Sequence, residues 1–260
     1  MTPVTGLHHV EMVMGTAVTL DIRDPFVPAG AVTEVVEWLH HVDAIFSPYR
    51  DDSPITRLGR GELQRNQLDL QVQGVLDLCE VARVESSGAF DVFKMAAPNG
   101  TTLDPSGLVK GWSIQRAAVI LESWSAENFT INAGGDIAQR GSPVPDSDQP
   151  WRTGIRHPAQ ADKLACVIAA RGTLAIATSA TYERGEHIID PCTGQPATEL
   201  TSVTVVGPDL TWVDTWATAA FVIGLDALVW IERHDGYGAY AITPDGIVQS
   251  TPTFDRLRIS

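Results

Sequence analysis

The sequence predicts an α+β fold. Three observations point to it. Val10, Met12, Met14, Val18, Leu20 and Ile22 all fall on even positions, a period of two that marks strands with one apolar face. Val32, Val35, Val36, Leu39 and Val42, then Val72, Val75, Leu76, Cys79 and Ala82, recur at helical spacing, as on helices with one buried side. Beyond these, helical and extended segments mix without strict alternation, which favours α+β over a doubly wound sheet.

Taken in order, the even-position run predicts one or two strands ending at Asp24-Pro25, with Gly15 as a break or point of close approach. Residues 31–46 form the first predicted helix, stopped by Ser47-Pro48-Tyr49, and residues 68–85 the second. Gly88 to Phe93 reads as a short apolar strand. Asp104 to Gly111 reads as a Gly-bearing lead-in to a helix over 112–124. Strands are expected at 128–132, 151–155, 164–170, 174–177 and 202–206, and helices at 212–223 and 227–233. Residues 237–242 and 247–250 close a hairpin around Pro244-Asp245-Gly246. Ser142 to Pro150 is a Pro- and Asp-rich surface loop, too short to mark a domain boundary.

The 260 residues can bury a large core in one domain or two. The formal charge of −14 argues against nucleic acid and against an anionic membrane surface, since both need a basic face. An anionic ligand would therefore need imported positive charge: a metal, a lysine or a helix N-terminus. Three cysteines (Cys79, Cys166 and Cys192) with no C-x-x-C pair imply neither a disulfide framework nor a zinc site. Met1 to Glu11 has no basic run followed by an apolar one, so no export signal is read there and a cytoplasmic location is expected. No stretch approaches 18 uninterrupted apolar residues, so no membrane insertion is expected.

Four constellations could carry chemistry. Asp214 and Thr218 are four residues apart and share one face of a predicted helix; their oxygens suit Mg²⁺ or Ca²⁺, although a helix-capping Asp beside a packed Thr is the simpler account of the spacing. Asp104 to Gly111 opens a helix with glycines and Lys110, an arrangement that favours phosphate, or else is a Gly-bearing helix start with a solvated lysine. In Asn132-Ala-Gly-Gly-Asp136, the acid could be a ligand, a base or a turn cap. Met14-Gly15-Thr16 and Ser47-Pro48-Tyr49 offer a close-approach turn and an aromatic that could stack on a flat ring or close the core edge.

The order of the motifs is more specific than any one of them. Met14-Gly-Thr16, Phe46-Ser-Pro-Tyr49, Gly88-Ala-Phe-Asp91, Asp104 to Gly111, Asn132-Ala-Gly-Gly-Asp136, Ala177-Thr-Ser179, His187-Ile-Ile-Asp-Pro-Cys-Thr-Gly194 and Asp214-x-x-x-Thr218 occur in one chain. Together they resemble the FAD:protein FMN transferase family, the ApbE-like flavin transferases, from about Met14 to Gly224. The resemblance implies a compact, mixed α/β, T-fold-like single domain over 1–260 with a flavin-binding cleft. It also implies Mg²⁺-dependent transfer of FMN from FAD to a Thr or Ser hydroxyl of an acceptor protein, with release of AMP. FAD hydrolysis to FMN and AMP, or FAD binding without catalysis, are the alternatives.

By the same resemblance, Met14, Tyr49, Ala89, Phe90, Asp91, Asp104, Lys110 and Ile188 match flavin-contacting positions. Asp214, Thr218 and the carbonyl of Gly107 match metal positions, and His187 matches the proton acceptor. The chain departs from the family pattern at Ala180, where Gly is usual, at Cys192, where Arg is common, and at Val109, where Ala is usual. The segment between Ala180 and His187 is also shorter than in most relatives.

Overall fold

A computed structural model describes residues 6–94, 97, 100–160, 162–181 and 188–259. The even-position run becomes a hairpin of β1 (Leu7–Val13) and β2 (Thr16–Ile22). Its turn is Met14-Gly15, both with positive φ (54° and 70°), which matches the twist of paired strands. A two-residue turn has a further effect: Val13 pairs with Thr16 and Val10 with Thr19, so even positions of β1 oppose odd positions of β2. The single apolar face expected across both strands therefore splits. Val18, Leu20 and Ile22 are buried, whereas Val10 and Met12 are exposed.

The remaining strands, in chain order, are β3 (Phe129–Ala133), β4 (Asp136–Arg140), β5 (Trp151–Arg156), β6 (Leu164–Ala170), β7 (Leu174–Ala180), β8 (Ser202–Gly207), β9 (Gly238–Ile242), β10 (Val248–Ser250) and β11 (Arg258–Ile259). An eight-stranded sheet runs β1-β2-β3-β4-β7-β8-β9-β10, and a three-stranded sheet runs β11-β6-β5. Every pairing is antiparallel, so the α+β expectation holds. The helices are α1 (Ala29–Phe46), α2 (Pro54–Gly59), α3 (Leu70–Glu85), α4 (Ser106–Ser123), α5 (Leu210–Ile223), α6 (Ala227–Glu232) and α7 (Pro252–Asp255).

Side-chain alternation along the central strands builds two cores. Ala175, Ala177, Val203, Val205, Ala239 and Ala241 join the helices in the larger one. Ile176, Val206, Tyr240 and Ile242 face the other way and meet Ile155 and Ile168 of the small sheet, with Phe254 of α7. The large sheet is thus a middle layer between helices and the small sheet, in a single domain. The apolar stretch Leu210–Glu232 has the length and hydropathy of a membrane span, yet 61% of its most apolar window is buried inside the protein. It forms α5 and α6, which pack into the core.

Two expectations change. Gly88 to Phe93 is a series of turns, not a strand. Phe90 N–H donates to Ser86 Oγ at 3.0 Å and Phe93 N–H to Asp91 Oδ1 at 3.0 Å, so side chains take the donors that a sheet ladder would use. The predicted lead-in 104–111 is itself helical from Ser106, and Asp104 Oδ1 accepts the Ser106 amide at 2.9 Å just ahead of the first turn.

Candidate active site

The helices α4 and α5 approach closely where Gly111 meets Leu210 and Asp214. A Cβ at position 111 would lie 2.4 Å from the Leu210 carbonyl oxygen and 2.7 Å from Asp214 Cβ. Without it, the Gly111 amide donates to Asp214 Oδ2 at 2.9 Å. Lys110, one residue earlier, places its ammonium 2.5 Å from Asp136 Oδ2 and 3.6 Å from Asp214 Oδ1. Asp136 arrives from the start of β4. Both carboxylates are buried, while the Lys110 side chain is 38% exposed, so it can face a ligand.

This cluster holds more negative charge than it neutralises. Burial pushes the Asp214 carboxyl up, to about 8; Lys110 opposes that shift and Asp136 adds to it. Asp136 Oδ2 is buried and receives no regularly aligned hydrogen bond, despite its ion pair. Two buried acids sharing one ammonium make a site that a divalent cation would complete.

The other oxygens needed lie beside them. Thr218 Oγ1, one turn along α5, donates to the Asp214 carbonyl at 3.3 Å. Gly107 faces it: a Cβ there would lie 3.8 Å from Thr218 Oγ1 and 3.1 Å from Phe90 Cε2. In an α-helix the Gly111 amide points toward the Gly107 carbonyl. Its engagement by Asp214 leaves lone-pair capacity on that carbonyl. Among the described residues, no group of three or more His, Cys, Asp or Glu side chains is arranged to hold a metal. The fit is instead to a hard cation held by a carboxylate, a hydroxyl and a carbonyl, with substrate oxygens and water, as Mg²⁺ prefers.

Several segments converge on this corner. Met14, half-buried in the β1–β2 turn, has Sδ 3.7 Å from Ser113 Oγ of α4. A Cβ on Gly134 would touch Thr16 Oγ1 at 2.7 Å, so the two hairpin turns abut. The Asp104 amide donates to the Val92 carbonyl at 2.9 Å, tying the helix start to the 88–94 turns. Cys192 Sγ lies 3.9 Å from the Gly88 carbonyl, which brings in the turn at Asp190-Pro191. Within that turn, Asp190 accepts the Cys192 amide at 2.8 Å and the Thr193 hydroxyl at 2.9 Å, the local bonding expected of an Asp-Pro turn.

The sequence model of the ApbE family matches residues 14–97 and 93–241. The chain belongs to the ApbE family. Among its relatives is a Klebsiella pneumoniae (strain 342) protein named FAD:protein FMN transferase, 29% identical over 153 residues, which are 55% of this chain and 43% of the relative. One of the same name from Rhodobacter capsulatus is 29% identical over 232 residues, 85% of this chain and 40% of the relative. The chain spans about half the length, or less, of the curated relatives it matches. The solved flavin transferase ApbE from Vibrio cholerae superposes with a TM-score of 0.84 at 23% identity, covering 98% of this chain and all of that one. The ApbE protein of Thermotoga maritima does so with a TM-score of 0.84 at 21% identity, with the same coverage. The fold is that of the ApbE structures.

Within this ApbE-family fold, Lys110, Asp214, Thr218 and Gly107 come together, with Met14, Asp104, Ala89, Phe90 and Asp91 on adjoining segments. Ala89, Phe90 and Asp91 are buried; the Phe90 ring packs under Gly107. Ile188 is also buried and holds the Ala197 amide through its carbonyl at 3.0 Å. Tyr49 is 74% exposed at the end of α1, with no described contact to the cluster. His187 lies outside the described residues. Two surface hollows, one lined by His41, Arg57 and Val72 and the other by Glu122 and Arg140, contain none of these residues. The partner that sequence reasoning did not connect is Asp136. Its signal was an acid directly after Gly-Gly at a strand end; the link to Lys110 exists only in three dimensions.

Proposed function

We propose that this chain is a Mg²⁺-dependent FAD:protein FMN transferase. It moves the FMN of FAD to a Thr or Ser hydroxyl of an acceptor protein and releases AMP. The observation that carries the reading is the Lys110–Asp136–Asp214 cluster, with Thr218 and Gly107 beside it, in a chain of the ApbE family. The names of the relatives support the same chemistry.

In this reading the acceptor oxygen attacks the FMN phosphorus, the bond from that phosphorus to the bridging oxygen breaks, and AMP leaves. The hydroxyl proton passes to His187, whose ordinary pKa lies in the range a base needs near neutral pH. Lys110 meets the pyrophosphate as a point charge on the exposed side of the cluster. The Met14 turn and the 88–91 segment flank the flavin. Asp214, Thr218 and the Gly107 carbonyl would hold Mg²⁺, which supplies stabilisation of charge on the phosphoryl oxygens. Positioning of these groups together accounts for most of such catalysis.

Incubation with FAD, Mg²⁺ and candidate acceptors should give AMP and an acceptor carrying a covalent FMN mass increment. FAD binding with neither product overturns the proposal. A second reading has water as the acceptor. It is motivated by Ala180, the departure from the pattern of the resemblance, which is buried at the end of β7. Free FMN released without any acceptor protein would select it.

A further inference from the structure

We propose that Asp136 is a positioning residue: its buried carboxylate holds the Lys110 ammonium off Asp214 Oδ1 and so keeps that oxygen open to the divalent cation. The inference rests on the reading of Asp214 as a cation ligand.

Three distances carry it. Asp214 Oδ2 already accepts the Gly111 amide at 2.9 Å, so Oδ1 is the oxygen with more of its lone-pair capacity left for a cation. Lys110 Nζ lies 3.6 Å from Oδ1, an ion-pair distance longer than that of a direct hydrogen bond. The same ammonium is 2.5 Å from Asp136 Oδ2. A lysine this close to a buried acid would otherwise collapse onto it, because a buried carboxylate gains most from a direct ionic partner. The competing acid at the start of β4 prevents that closure.

The placement of Asp136 suits the task. It is the first residue of β4 and pairs with Ala133 across a two-glycine turn, so its backbone is fixed by the hairpin. It is 2% exposed, and its Oδ2 has no regularly aligned hydrogen bond among the described residues. A buried carboxylate is costly without an ionic partner, and the Lys110 ammonium is the partner the structure gives this one.

The test is Mn²⁺ titration of the FAD-free protein by calorimetry, together with crystal structures of the metal-free forms. Asp136→Ala should bind Mn²⁺ at least about tenfold more weakly, the usual scale for losing a residue that orients a metal ligand. In its structure, Lys110 Nζ should lie within hydrogen-bond distance of Asp214 Oδ1. Removing the lysine as well, in Asp136→Ala with Lys110→Met, should restore most of the lost affinity. If Asp136→Ala does not fold, Asp136→Asn drops the charge, keeps the shape and carries the same expectations.

Unchanged affinity in the Asp136 variant overturns the proposal. So does weaker binding with Lys110 still parked away from Asp214, and so does failure of the double variant to recover. Wild-type protein that shows no Asp214-dependent Mn²⁺ binding overturns the underlying cation reading and this one with it. Normal wild-type binding with an indifferent Asp136 variant overturns this one alone.

Discussion

The Gly111 amide donates to Asp214 Oδ2 at 2.9 Å, joining positions 103 residues apart in the chain. The bond depends on a missing side chain, because a Cβ on residue 111 would meet backbone and Cβ atoms that cannot rotate away. Gly111→Ala should therefore push α4 and α5 apart. A loss of about 2–3 kcal/mol is expected, on the scale of overpacking a close-packed core, despite the better helix propensity of alanine. Urea unfolding measures it; an alanine variant as stable as the parent would show that the helices separate without strain.

The raised Asp214 carboxyl makes a pH prediction for the metal-free protein. Its folded value, about 8, stands above the ordinary 3.8. Between those values the folded state binds more protons than the unfolded state, so this group's contribution to stability falls as pH rises from about 4 to about 8. The urea midpoint in EDTA should show that decline, and Asp214→Asn should lack it. Saturating Mg²⁺ should also remove it, because the cation binds the ionised form and expels about one proton near neutral pH. Identical pH profiles for parent and Asp214→Asn would exclude Asp214 as the source.

Much of this corner was legible in the chain. Asp214 and Thr218 share a helix face because four residues nearly complete a turn, and a glycine pair around Lys110 signalled close approach. Other parts were not legible, for specific reasons. The β4 segment Asp136–Arg140 carries little apolar pattern, since Gln139 and Arg140 are themselves buried, with Gln139 bonded to the Ala170 carbonyl at 3.0 Å. Ala89, Phe90 and Val92 look like a strand because they are apolar, but their burial comes from packing in turns. The split faces of β1 and β2 depend on turn length, which the even-position pattern alone does not encode. The Lys110–Asp136 contact needs the β3–β4 hairpin to be folded before the two residues meet.

Thr218 offers a way to separate liganding from packing. Its hydroxyl bonds back to the Asp214 carbonyl within the helix, an interaction that contributes little to stability. Thr218→Val keeps the shape and removes the oxygen. Unfolding free energy should change by less than about 1 kcal/mol, while Mn²⁺ affinity drops at least about tenfold, as for other disturbed metal sites. Calorimetric titration beside urea unfolding reads both quantities. Loss of stability with cation affinity intact would assign Thr218 to packing.

Gly107 separates flavin binding from folding. A Cβ there would lie 3.1 Å from Phe90 Cε2, so the ring must give by a few tenths of an ångström within the 89–91 turns. Gly107 is the second residue of α4, so alanine gains only part of the about 1 kcal/mol it gains over glycine in a helix interior. Overpacking on this small scale costs about 1 kcal/mol, so Gly107→Ala should lower stability by no more than about 1 kcal/mol. FAD affinity, followed by quenching of flavin fluorescence, should fall several-fold if the 89–91 segment forms a flavin wall, because a displaced wall loses contacts without unfolding. Undiminished FAD affinity in a variant whose Phe90 has moved would remove that segment from the binding site.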